Sequence, residues 1–335
     1  MAEKFLRLAS GRRRDALGVA SERLGRPPEI IEKDAMVVWA LSVIYGSDYG
    51  AHLSFKGGTS LSKVYGVIDR FSEDVDLTYD IRRFLPDFDV TPDGIPPSKS
   101  RGRKWTEEVR EKLPAWIKSE LIPLFSAAAE RDGTNVRFRQ DTREKLFIEY
   151  ETVTPGNSYV APTVMLEFGA RSTGEPAETA DVACDAAAAV EGLDFPTARV
   201  RAMSIGRTFW EKATAAHVYS IQESLKGDRF SRHWHDLHYI ASSERIEGVV
   251  ADRDLAEKVA THKSFFFAEK DGKGGWIDYA AAVTGGMRLV PAGEPLRKLA
   301  DDYARMAEAG MTSRHAPPFD TVMETCARLE RMINR

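Results

Sequence analysis

Residues 55–80 read FKGGTSLSKVYGVIDRFSEDVDLTYD, and the fold is decided by how this stretch is parsed. The apolar run Leu53–Phe55 leads into Lys56-Gly57-Gly58-Thr59-Ser60, whose paired glycines predict a tight strand-to-helix turn, with a short helix through Leu61 and Tyr65. Residues 74–79 alternate strictly. This predicts a strand with Val75, Leu77 and Tyr79 on one face and Asp74 and Asp76 on the other. Upstream, residues 28–45 carry Ile30, Ile31, Val37, Val38, Leu41 and Ile44 at helical spacing, with Pro27 and Pro28 at the start, where proline is tolerated. Downstream, residues 84–104 hold four prolines and two glycines and then Lys99, Arg101, Arg103 and Lys104, which predicts a long basic loop. A helix from Trp105 to about Ala129 follows, then strands near Asn135–Gln140, Lys145–Val153 and Thr163–Phe168. In the last of these, Val-Met-Leu-Glu-Phe, Glu167 interrupts an otherwise apolar run. Beyond Phe195 the pattern turns helical, opening on Thr208-Phe-Trp-Glu211, which has the form of a capping box. The expected class is α+β. A mixed-sheet lobe spans residues 1–200, and a mainly helical lobe spans 201–335.

Composition narrows the function classes. The chain has 335 residues, enough for two packed lobes, and 47 basic against 51 acidic residues give a formal charge of −4. That excludes a generally basic coat for nucleic acid but not a local basic groove. Two cysteines, Cys184 and Cys326, are too few for a disulfide framework or a four-cysteine zinc site and fit a reducing cytosol. No apolar run approaches the roughly 18 residues that would span a bilayer. The basic opening MAEKFLRLASGRRR lacks the apolar segment of a secretory signal, so the expected location is cytoplasmic.

The chemistry-bearing residues fall around the opening stretch. Mg²⁺ prefers a few carboxylate oxygens together with phosphates over an all-protein cage, and two aspartates at strand spacing i, i+2 supply one such edge. A Gly-Gly turn that opens a helix brings backbone N–H groups and small hydroxyls up to phosphate. Glu167, a lone acid in an apolar strand, is the natural third carboxylate for a metal site with Asp74 and Asp76. Together these features point to metal-assisted transfer from a nucleoside triphosphate (NTP).

The stretch 55–80 also resembles the signature of the polymerase-β-like nucleotidyltransferase superfamily, and in detail it is similar to the AbiEii/AbiGii toxin family of type IV toxin–antitoxin and phage abortive-infection systems. A second block, RTFWEKATAAHVYSIQESLKGDRFSRHWHDLHYI at residues 207–240, resembles the same family. Weaker matches are Ile31-Glu-Lys-Asp34, EFGAR at 167–171, and KSFFF with the later Tyr279 and Leu289-Val-Pro291. The resemblance implies transfer of a nucleoside monophosphate from an NTP to an RNA acceptor such as a tRNA 3′ end. It also implies Mg²⁺ or Mn²⁺ as cofactor, growth arrest as the result, and a separately encoded antitoxin as partner. On the matched motifs, Asp74, Asp76, Glu167, Lys212 and Asp236 are the expected catalytic residues. Gly57, Gly58, Thr59, Ser60, Lys63, Ser72 and Lys212 are expected to bind nucleotide. The 84–134 insertion departs from the family pattern and leaves the acceptor open. Lys99, Arg101, Arg103 and Lys104, with Arg229 and Arg232, are the candidate RNA contacts.

Plainer readings compete residue by residue. Asp74 and Asp76 could be solvated strand positions, and Glu167 could pair with Arg171. Lys212, read as lying in a capped first turn where the dipole disfavours a cation, could be satisfied by Glu211. His233 and His235 are too close on a helix start to read as a zinc pair. Trp105, Trp116, Trp210 and the Phe265–Phe267 run read as core. The rival to an enzyme is a nucleotide-binding regulatory or interaction module of the same fold without turnover.

Overall fold

The computed structural model describes residues 2–142, 144–154, 161–222, 229–313 and 315–335. The chain divides into two compact units. The first comprises residues 1–64, 73–89 and 105–202, and the second residues 65–72, 90–104 and 203–335.

The strands belong essentially to the first unit: β1 (Glu3–Lys4), β2 (Leu53–Lys56), β3 (Asp74–Asp80), β4 (Val136–Thr142), β5 (Lys145–Tyr150), β6 (Thr163–Ser172), β7 (Ala177–Ala183), β8 (Leu193–Asp194) and β9 (Thr197–Met203). Seven form one mixed sheet in the order β4-β5-β6-β3-β2-β9-β7, and β1 pairs with β8 separately. The central strand β3 runs parallel to β6 and antiparallel to β2. Period-2 alternation gives the sheet two unlike faces. Val75 and Leu77 of β3 lie in register with Leu166 and Phe168 of β6; Leu146 of β5 continues the first of these rows, and Ile148 lies on the same face opposite Val164. All seven are at most 1% exposed. At the far end of β3 the alternation stops, because Thr78 and Asp80 are buried as well as Tyr79. There Tyr79, Phe84, Trp116 and Phe168 form an edge-to-face aromatic cluster with ring centroids 5.1–6.2 Å apart.

Of the helices, α1 (Ser10–Leu24), α2 (Pro28–Tyr45), α3 (Gly57–Lys63), α4 (Ile81–Phe84), α6 (Ile122–Asp132) and α7 (Asp185–Ala189) lie in the first unit. Helix α2 is the expected one to the residue, and it buries not only its apolar stripe but also Glu32, Lys33 and Asp34. Each buried charge has partners, as burial requires. Glu32 accepts from Thr152, Val153 and Thr154, Lys33 pairs with Glu73, and Asp34 pairs with Lys63.

Two local expectations are corrected. The basic segment is not a loop throughout, since helix α5 (Lys99–Trp116) begins at Lys99, with its first six residues in the second unit. The Ser98 hydroxyl accepts from the Arg101 N–H at 3.2 Å and caps this end, so the loop stops at Pro97. A π-turn at 117–121 joins α5 to α6. The capping box at Thr208–Glu211 is not used. Helix α8 (Ile205–Ile221) starts one turn earlier, where the Ser204 hydroxyl accepts from the Arg207 N–H, and Glu211 pairs with Arg207 at 3.2 Å. An N-cap needs an extended backbone, which Ser204 has and Thr208, already helical, does not.

The second unit adds α9 (Ser231–Ala241), α10 (Ile246–Ala251), α11 (Arg253–Phe266), α12 (Tyr279–Ala281), α13 (Glu294–Glu308) and α14 (Phe319–Ile333) to α8. Segment 65–72, between the Gly-Gly helix and the Asp-x-Asp strand, is fastened here. The Phe71 N–H donates to the Met311 carbonyl at 2.7 Å, and the Tyr65 hydroxyl donates to that of Met203 at 2.8 Å.

Candidate active site

In the first unit the turn from β2 into α3 places Gly57 at φ +79°, in the left-handed region that favours glycine. A Cβ built on Gly57 would lie 2.1 Å from Oδ2 of Asp76. Any side chain here would displace that carboxylate, so the glycine makes room for the acid that follows it in space. Thr59 and Ser60 are buried and their hydroxyls are directed inward. Thr59 donates to the Asp74 carbonyl, tying α3 to β3, and Ser60 donates to the Gly57 carbonyl at 3.0 Å. Gly58 is buried beside them. Lys63 ion-pairs with Asp34 and, at 2.7 Å, with Asp185. Burial opposes its charge, but the two carboxylates more than offset this and raise its pKa.

Asp76 is in register with Lys56 of β2 on one side and Glu167 of β6 on the other, and Glu167 is in register with Lys145 of β5. Neighbours in register project to the same face. One row across four strands therefore reads Lys56, Asp76, Glu167, Lys145, with Asp74 on the same face two residues before Asp76. Glu167 thus lies on the face of the two aspartates. Its partner is Lys145, whose Nζ is 3.0 Å from Oε2, whereas Arg171 pairs with Glu144. The hydrogen bond to Glu167 raises the Lys145 pKa, and the charges of Asp74 and Asp76 add to it. Lys56 and Lys145 were missed in the sequence. Alternation across 145–150 places Lys145 opposite the buried Leu146, Ile148 and Tyr150, but only strand pairing puts it beside Glu167.

Among the described residues no three His, Cys, Asp or Glu side chains are gathered closely enough to hold a metal ion unaided. The donor set nonetheless suits a hard cation. It is all oxygen, it stands on one sheet face, and Gly57 gives Asp76 space. Mg²⁺ usually takes only one or two carboxylates, with phosphate and water completing its shell, so a closed protein cage is not required.

In the second unit Asp236 on α9 is fully buried between two cations. Arg70 holds it with both arms of its guanidinium, Nε to Oδ1 at 2.7 Å and Nη2 to Oδ2 at 2.8 Å, and Lys212 on α8 approaches Oδ2 at 2.8 Å. Burial alone would raise the Asp236 pKa, but Arg70 and then Lys212 outweigh it and hold the carboxyl well below the usual range. Lys212 therefore sits beyond the first helical turn and is compensated, contrary to the first-turn expectation. An ammonium has three donors, and the Asp236 contact uses one. Arg70 escaped the sequence reading, since nothing local relates it to a residue 166 positions away. Beside it, Asp69 accepts from the Ser313 hydroxyl at 2.5 Å and lies 3.4 Å from His235. Ser72 is partly exposed at the end of the 65–72 segment.

Of the candidate RNA contacts, Lys99, Arg101, Arg103 and Lys104 are exposed on the first turns of α5. Arg229 is exposed with φ +71°, its N–H donating to Asp302 at 2.8 Å, and Arg232 is partly buried on α9.

A mixed sheet carrying paired aspartates beside a Gly-Gly turn, together with a helical unit, is an arrangement suited to a nucleotidyltransferase. The family model described as "Nucleotidyl transferase AbiEii toxin, Type IV TA system" matches residues 39–325, most of the chain. The chain belongs to this family and is a nucleotidyltransferase of the toxin–antitoxin class. Such enzymes use an NTP, and membership of a type IV system implies a cognate antitoxin. The chain is also similar to the nucleotidyltransferase toxin MenT4 from Mycobacterium tuberculosis H37Rv, with 20% identity over 96% of this chain and 99% of that one and a TM-score of 0.41. No curated protein sequence matches. Among the described residues no helix is long and apolar enough to cross a membrane.

Proposed function

We propose that the protein transfers a nucleoside monophosphate from an NTP to a hydroxyl of an RNA acceptor, at a tRNA 3′ end, with divalent-metal help, and that this arrests growth, as in abortive infection. The observation that carries the reading is the row of Asp76 and Glu167, with Asp74 on the same face, next to a glycine whose missing side chain accommodates the Asp76 carboxylate. Asp74, Asp76 and Glu167 would hold Mg²⁺ or Mn²⁺. When bound, such ions neutralise phosphate oxygens and orient the α-phosphorus for in-line attack. Glu167 accepts the proton of the attacking hydroxyl as a P–O bond forms and the bond to pyrophosphate breaks. Gly57 and Gly58 let the backbone approach the triphosphate. Lys212 is assigned to the triphosphate, and Asp236 to holding Lys212, on the family motif and on the 2.8 Å contact between them.

The acceptor reading is supported by charge. Four exposed cations stand at the N-terminus of α5, where the helix dipole disfavours positive charge, so they do not serve that helix and suit an anionic partner better. Incubating the protein with each labelled NTP, total RNA and Mg²⁺ or Mn²⁺ tests the whole reading. Label should enter RNA with release of pyrophosphate, and Asp76→Asn should remove both. NTP binding without incorporation on any RNA would reject transfer in favour of a nucleotide-binding module without turnover.

A further inference from the structure

Trp276 is 68% exposed, while Trp39, Trp105, Trp210 and Trp234 are at most 2% exposed and Trp116 lies in the aromatic cluster. An indole is costly to leave in water, and here it is held there by a built turn. Lys270 and Trp276 face each other across an antiparallel bridge. Within it the Asp271 N–H donates to the Gly275 carbonyl at 2.9 Å, and Asp271 Oδ1 accepts from the N–H groups of Lys273 and Gly275 at 2.9 and 2.8 Å. The Gly272 N–H donates to the Ile221 carbonyl at 3.0 Å, and Gln222 bonds the Lys270 carbonyl and the Glu269 carboxylate. The turn is therefore anchored to the end of α8.

Cations accompany the exposed rings. Lys270 Nζ lies 5.2 Å from the Trp276 ring centroid, and Lys263 Nζ lies 4.8 Å from that of Phe267, which is itself 37% exposed. Lys273 sits at the tip of the turn. The acids in this stretch accept hydrogen bonds, Asp271 and Asp278 from backbone N–H groups and Glu269 from Gln222, and keep their charge beside the lysines.

We infer that this turn is a stacking platform for unpaired bases of a single-stranded nucleic acid, with Trp276 as the principal ring, Phe267 as a second, and Lys263, Lys270 and Lys273 tracking phosphates. Every base has a π-face, so a ring flanked by ammonium groups takes single strands with little sequence preference. Lysine is depleted in protein–protein interfaces, which is why the interleaved cations favour nucleic acid over a protein partner. The inference rests on the RNA-acceptor reading above and adds a surface to it.

The test uses the full chain and a short single-stranded RNA oligonucleotide. Because Trp276 is the exposed indole, bound bases should quench the solvent-exposed part of the tryptophan emission. Trp276→Ala should remove that quenching and weaken RNA binding about tenfold, the scale of one lost base stack. Trp276→Phe should recover most of the affinity. Lys270→Gln combined with Lys273→Gln should flatten the dependence of binding on salt. Unchanged RNA affinity in Trp276→Ala would overturn the platform. The two readings fail separately. Quenching by RNA in a protein that transfers no nucleotide rejects the enzymatic proposal alone, and full transfer and binding by Trp276→Ala rejects the platform alone.

Discussion

Gly57 and Asp76 show what one missing side chain does. At φ +79° an alanine would be strained by about 1–2 kcal/mol, and its Cβ would fall 2.1 Å from the Asp76 carboxylate. Gly57→Ala should therefore lower both stability and nucleotide transfer, as read by thermal melting and label incorporation. Asp76→Asn is isosteric on a partly exposed strand position, so its melting temperature should match the wild type while transfer falls on the order of 100-fold or more. A parallel collapse of the fold would mark Asp76 as structural. Lys145→Met separates the two roles of Glu167. Their ion pair is about a third or more exposed on each side, so its loss should cost no more than about 1 kcal/mol. Freeing the carboxylate should tighten Mn²⁺ binding, measurable by electron paramagnetic resonance, and unchanged Mn²⁺ affinity would argue against Glu167 as a ligand.

Elements decide which of these residues meet. The parallel register of β3 with β6 sets Asp76 beside Glu167, and a slip of one residue would send Glu167 to the apolar face. Helices α8 and α9 do the same for Lys212 and Asp236. Removing the buried acid leaves Arg70 and Lys212 without their shared counter-charge, so Asp236→Asn should destabilise the protein by about 3–5 kcal/mol in chemical denaturation. Lys212→Met should cost clearly less, because Asp236 keeps both arms of Arg70. A role in NTP binding is therefore best tested through Lys212, and equal NTP affinity in Lys212→Met and wild type would remove it from the triphosphate site.

For the molecule as a whole, acid sensitivity follows from a buried histidine. His217 is 5% exposed and accepts the Arg288 N–H at Nδ1, 3.0 Å away, and burial pushes its pKa from 6.5 down to about 4. Between these values the unfolded chain binds a proton that the folded chain refuses, so stability is full above pH 6.5 and falls as pH drops toward about 4. Urea midpoints across this window should decline, and His217→Asn should reduce the decline, the remainder coming from His233, which burial likewise holds down, at about 3. Much of the architecture was legible in one dimension, because period and punctuation are local properties. Helix α2, the glycine turn and the aspartate strand were placed from spacing alone, and the family motifs named Asp74, Asp76, Glu167, Lys212 and Asp236. The start of α8 at Ser204 rather than Thr208, and of α5 at Lys99 rather than Trp105, departs from the local pattern, since a helix start depends on backbone conformation. The sequence by itself determined the α+β class and the two-faced strand, and it named the candidate acids. Only the tertiary structure decided their partners: Lys145 for Glu167, and Arg70 with Lys212 for Asp236. The physical reason is that an ion pair depends on separation in space, and strand register and helix packing bring together residues between which the chain carries no local signal.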